Sequence, residues 1–130
     1  MQKIRATAVV KKDGKLLMIH RFRDGQEYYV LPGGKVEAGE TVEDAAIREL
    51  MEETSVAAKL GEKIYSLNDP EERNHQLFQC HYVSDEPQLQ NDSVEQKYMN
   101  ENNKYLPLWF DIGQLAWQVP HSSDTFVHAV

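Results

Sequence analysis

Residues 4–10 (IRATAVV) and 15–20 (KLLMIH) are β-like runs separated by Lys12-Asp13-Gly14. Asp-Gly between two such runs favours a two-residue turn, because both positions tolerate positive φ, so the pattern predicts an N-terminal hairpin. Residues 21–27 are polar with one glycine and read as a connection. Tyr28-Tyr29-Val30-Leu31 reads as a short strand stopped by Pro32-Gly33-Gly34, where proline lacks a ladder donor and glycine permits positive φ, so a sharp turn is expected there. Over 41–54 the pattern becomes helical, rich in Ala, Leu, Met, Glu and Arg. Thr41 is a candidate N-cap, and Asp44 sits where a capping-box acid belongs. Further strands are expected at 57–67 and 76–83. The stretch 84–103 is polar, contains Pro87 and reads as a long loop. A last strand at 106–110 and a short helix at 111–116 complete the reading.

The 130 residues fit one domain, with 41% hydrophobic and 27% charged residues in the range of ordinary globular proteins. The net charge of -7 is uneven. Residues 1–33 carry seven Lys/Arg against three acids, residues 34–56 two against seven, and the rest five against eleven. An acidic chain lacks the broad basic field that nucleic acid or an anionic membrane selects, so neither is an expected partner. A small anionic ligand bridged by a metal ion remains compatible. The single cysteine, Cys80, forms no internal disulfide and has no zinc-like spacing around it. With no signal-like or membrane-spanning apolar run, a cytoplasmic, unprocessed protein is expected, as monomer or homodimer.

The helix poses a chemical question. At about 100° per residue, Glu49, Glu52 and Glu53 share one side, with Ile47 and Leu50 on its flank. Like charges three or four residues apart repel unless a cation sits among them. A solvated acidic face explains the spacing, and so does a divalent ion. The carbonyl-exposing Pro32-Gly33-Gly34 segment just before the helix favours the second, since Mg²⁺ and Mn²⁺ take carboxylate and carbonyl oxygens alike.

The spacing is more specific than that. Gly34, five residues, Glu40, seven residues, then Arg48-Glu49-Leu50-Met51-Glu52-Glu53-Thr54-Ser55-Val56 resembles the Nudix box, with Ser55 in place of the usual glycine. The replaced glycine follows the helix, where a left-handed residue is commonly wanted, so Ser55 is expected to trim stability or shift the helix end rather than abolish chemistry. The resemblance implies an α/β (α+β) Nudix fold over residues 1–130, a mixed β-sheet sandwiched between helices. It implies hydrolysis, with Mg²⁺ or Mn²⁺, of a pyrophosphate link in a nucleoside diphosphate joined to another group. It also implies that Glu49, Glu52 and Glu53 are metal ligands, with the Gly33 carbonyl a further one and Gly34 beside the substrate. Arg48 is expected to pair with Glu52 one turn on and with Glu40, holding the ligands in place, and Glu40 to act as a brace or an outer-sphere metal contact.

Two sets of residues outside the box are singled out. The resemblance implies that an acid from a later loop completes the site, with Glu95 first and Asp92 and Glu86 behind it, a solvated loop residue being the alternative for Glu95. Arg21 and Arg23 are candidates for bidentate contacts to substrate phosphates, a surface role being the alternative for each. Tyr28, Tyr29, Phe78, Trp109 and Phe110 are core residues or a nucleobase platform. His75 and His81 receive no role. A MutT-type nucleoside triphosphate pyrophosphohydrolase is the favoured reading. An ADP-ribose or nucleotide-sugar pyrophosphatase and a nucleotide sensor without turnover are the alternatives.

Overall fold

A computed structural model describes residues 3–68, 73–88, 103–113 and 127–128. β1 (Lys3–Lys12) and β2 (Lys15–Arg23) form the expected hairpin, with Asp13 and Gly14 at φ 51 and 74. They pair only at Lys11↔Leu16 and Lys12↔Lys15, then splay apart. The splay lets each strand take other partners. β4 (Gly33–Lys35) adds antiparallel to β1, and β6 (Arg73–Ser84) lies parallel on its other side. β2 pairs with β3 (Gln26–Val30) and with β7 (Asn103–Asp111). β5 (Ala57–Asn68) flanks β6, and β8 (Val127–His128) runs parallel to β3. The result is a mixed sheet in the order β5-β6-β1-β2-β3-β8.

Helix α1 (Val42–Thr54) starts as its sequence dictates, with the Thr41 hydroxyl accepting the Asp44 N–H at 3.0 Å. It lays Ala45, Ala46 and Leu50 on Ala6, Ala8, Val10, Leu17, Phe78 and Cys80, and burial pushes the Cys80 thiol up. The small residues of β1 let helix and sheet approach closely. On the opposite face Val9, Leu16, Met18, Leu31, Leu77 and Phe110 form a second cluster, so the sheet is covered by apolar contacts on both sides. No helix among the described residues is long and apolar enough to cross a membrane.

Four local expectations are corrected. Residues 21–27 are not a connection: β2 runs to Arg23, and Asp24-Gly25, at φ 49 and 82, makes a second tight hairpin into β3. The Asp-Gly signal was present, but the polar flanks hid two strands that pair Arg21 with Tyr28 and Phe22 with Glu27. Gly33 and Gly34 are not turn residues with positive φ; they lie in β4. β7 begins at Asn103, three residues before the expected strand. Of the expected helix at 111–116, Asp111 ends β7, Ile112 and Gly113 are helical with the Gly113 N–H on Asp111 Oδ1 at 2.8 Å, and the rest lies outside the described residues.

Candidate active site

Two carboxylates of α1, those of Glu49 and Glu53, lie against the backbone of β4, and Arg48 joins the Glu52 carboxylate to that of Glu49. Pro32 O accepts the Ala8 N–H at 2.9 Å and Ile4 O the Val36 N–H at 2.8 Å, which fixes β4 against β1. In an antiparallel ladder peptide groups alternate in direction, so the Gly33 N–H faces away from β1. It donates to Glu53 Oε1 at 2.8 Å, inside the protein, where Glu53 is only 7% exposed.

The two glycines serve close approach. A Cβ on Gly33 would meet Ala6 O at 2.6 Å and Thr7 Cα at 2.9 Å, and one on Gly34 would collide with the carboxylate of Glu49. Gly34, expected beside substrate, is thus the floor on which Glu49 rests.

A cation does sit among the acids, and it is Arg48. Its Nε and Nη2 grip Glu40 at 2.7 and 3.0 Å, a bidentate fork. Nη2 also donates to Lys35 O at 3.0 Å, while Nη1 donates to Glu49 Oε1 at 2.9 Å and Glu52 Oε2 at 3.3 Å. One planar guanidinium therefore fixes two helical carboxylates, the start of the helix approach and the end of β4. The bond to Glu40 and the neighbouring carboxylates raise the Arg48 pKa, so its charge is permanent. That hydrogen bond, aided by the Glu37 N–H at 3.1 Å, lowers the Glu40 pKa. The pairing of Arg48 with Glu40 and Glu52 is as expected, and the contact to Glu49 is additional.

At the end of α1, Ser55 adopts the left-handed conformation (φ 63, ψ 3) and its N–H caps Met51 O at 2.9 Å. Its hydroxyl donates to Gln88 O at 2.7 Å, while the Gln88 N–H donates to Thr54 O at 2.7 Å. The serine replaces conformational ease with a bond that a glycine lacks.

The remaining candidates are dispersed. Arg21 is 7% exposed, donates through Nη1 to Asn103 Oδ1 and Lys104 O at 3.0 and 3.2 Å, and lies 3.6 Å over the Tyr105 ring. It clamps β2 to β7. Arg23 is exposed at the end of β2. Glu86 is exposed, 4.0 Å from Lys12 Nζ. Glu95 and Asp92 lie outside the described residues. Phe78 and Phe110 are core residues, and Trp109 packs against Tyr82 in a T-shaped contact. Tyr29 stacks on His20 with ring centroids 4.5 Å apart. Sequence reasoning missed Arg5, whose Nη2 lies 3.4 Å from Gly33 O, because only the pairing of β1 with β4 brings it there.

Among the described residues no three acidic, histidine or cysteine side chains converge as placed on one ion-sized point. The donor set nonetheless suits a hard divalent ion in kind: the carboxylates of Glu49 and Glu53 lie against the backbone of Gly34 and Gly33, with the Glu52 carboxylate joined to that of Glu49 through Arg48.

Fold and site together define a mixed-sheet α+β protein with an arginine-braced glutamate helix set against a Gly-Gly strand. The chain belongs to the Nudix family: the NUDIX domain model matches residues 1–130. It is 35% identical over 101 residues to an ADP-ribose pyrophosphatase of Methanocaldococcus jannaschii, a match covering 73% of this chain and 60% of that protein. The match thus spans less than two thirds of the relative's length. Among solved structures, a MutT NUDIX hydrolase from Burkholderia pseudomallei superposes with a TM-score of 0.62 at 25% identity, over 94% of this chain and 89% of that one. A MutT structure from work on Aliivibrio salmonicida and Vibrio cholerae gives 0.68 at 20% identity, over 92% and 89%, a likeness of fold.

Proposed function

We propose that this chain hydrolyses a phosphoanhydride bond in a nucleoside diphosphate joined to a further group, using Mg²⁺ or Mn²⁺, and that its substrate is a nucleoside triphosphate, as for a MutT-type pyrophosphohydrolase. The observation that carries this reading is the fixed carboxylate edge: Glu53 on the Gly33 N–H at 2.8 Å, with Glu49 and Glu52 held by one guanidinium. Glu49, Glu52, Glu53 and the Gly33 carbonyl would hold the ion, and Glu95 of the later loop is assigned to the same set. The bound ion supplies charge relief on the phosphoryl oxygens and a water activated for in-line attack. Glu53, anchored through Oε1, or a carboxylate of the sequence beyond the box would take the proton of that water. Arg48 and Glu40 keep the carboxylates oriented, which limits the reorganisation the reaction requires. Arg23, exposed beside the second hairpin, is available to substrate phosphate, whereas Arg21 is committed to β7.

A second reading, ADP-ribose as substrate, is favoured by the name of the 35% identical relative. Both readings require the same edge, so one experiment decides between them and tests the whole. Turnover is measured with Mg²⁺ or Mn²⁺ against nucleoside triphosphates, 8-oxo-dGTP, ADP-ribose and nucleotide sugars, beside Glu52→Gln and Glu53→Gln. Rapid cleavage of a triphosphate to monophosphate and pyrophosphate, lost in both variants, supports the first reading. Cleavage of ADP-ribose alone supports the second. Equal rates in the parent and both variants remove the site assignment, and nucleotide binding without turnover makes the chain a sensor.

A further inference from the structure

Arg5 lies on β1 opposite Lys35 of β4, and both side chains are exposed. Its Nη2 reaches around the strand to Gly33 O at 3.4 Å. The N–H and C=O of one residue in a strand point the same way, so the group that donates to Glu53 and the group that accepts from Arg5 share the outer edge of β4. Arg5 and Glu53 therefore flank a single residue, one cationic and one anionic.

The Arg5 contact is long and uses one of five guanidinium N–H donors. Of the acids on this edge, Glu49 accepts from Arg48 and Glu53 from the Gly33 N–H. A neutral carbonyl at 3.4 Å is a weak acceptor, and a phosphoryl oxygen, being charged and able to accept two parallel bonds, displaces it. The glutamate side of the edge repels a polyphosphate unless ions intervene, so cationic side chains on the opposite side are where the remaining phosphate charge is met.

We propose that Arg5 is a substrate-binding residue whose guanidinium takes a phosphoryl oxygen of a nucleoside di- or triphosphate at the Gly33 edge of β4. The proposal rests on the hydrolase reading above for its kinetic consequence, while its binding consequence stands without turnover.

The test uses Arg5→Gln and Arg5→Lys in the full chain. With the best substrate, Arg5→Gln raises KM about tenfold and leaves kcat within about threefold, and Arg5→Lys falls between, since a point charge replaces a fork. In parallel, thermal shifts are recorded with Mn²⁺ alone, with Mn²⁺ and adenosine, and with Mn²⁺ and ADP. The extra stabilisation given by ADP shrinks in Arg5→Gln, while the response to Mn²⁺ alone is kept. An unchanged KM and ADP response overturns the proposal, as does a lowered melting temperature with neither altered, which marks a structural contact only. Absence of both turnover and any ADP response in the parent overturns it as well. If nothing is turned over but the ADP response depends on Arg5, the hydrolase reading fails and this site stands. If turnover depends on Glu53 and is indifferent to Arg5, the site alone falls.

Discussion

Glu53 accepts the backbone N–H of Gly33 at 2.8 Å, across 20 residues of sequence, and so joins the last turn of α1 to strand β4. The bond satisfies an edge-strand donor and orients a buried carboxylate with one atom pair. Glu53→Gln keeps an oxygen able to accept that N–H while removing the charge. The expected outcome is a folded variant whose turnover falls on the order of a hundredfold or more, measured as kcat beside far-UV circular dichroism.

The two glycines of β4 differ in what a methyl group would strike. At Gly33 it meets the backbone of Ala6 and Thr7, which cannot yield cheaply, so Gly33→Ala is expected to cost about 1–3 kcal/mol in a urea melt. At Gly34 it meets the end of the Glu49 side chain, which can swing away. Gly34→Ala is therefore expected to keep more stability than Gly33→Ala and to weaken the thermal response to Mn²⁺. The reverse order would show that Glu49 does not depend on Gly34.

Ser55 separates conformational strain from a hydrogen bond. Ser55→Ala keeps φ near 63° and loses the bond to Gln88 O, for an expected loss of about 1 kcal/mol. Ser55→Gly loses the same bond but relieves the left-handed strain, so its stability is expected within roughly 0.5 kcal/mol of the parent. Equilibrium denaturation of the pair reads the difference directly, and two equal losses would show that the backbone carries no strain.

The Glu40 carboxyl sits below its ordinary 4.5 because it accepts from Arg48 and from the Glu37 N–H. A group depressed in the folded state contributes stability above its unfolded value and loses it as pH falls through the folded one. The melting temperature of the parent is thus expected to fall as pH is lowered from about 4.5. Arg48 stays charged throughout. In Glu40→Gln the acid slope should be shallower, and identical slopes in the two proteins would remove Glu40 from the acid-sensitive network.

Much of this was legible in the residues. Local rules set the Asp13-Gly14 hairpin, the Thr41 cap and the single acidic stripe of α1, since each depends on neighbours no more than four positions apart. The box spacing carried the family and named Arg48 as the brace of Glu40 and Glu52. The same rule that marked the first hairpin applied equally to Asp24-Gly25, yet polar flanks concealed two strands that backbone pairing across the turn makes plain.

The sequence by itself determined which residue types lie on which element, because helical and strand periodicity and turn chemistry are local. The tertiary structure alone decided that β1 leaves β2 after two pairs to receive β4. That register puts Gly33 under Glu53, Gly34 under Glu49 and Arg5 beside Gly33. Contacts of this kind depend on which strand edges meet, and a strand's side-chain pattern encodes its faces but not its neighbours.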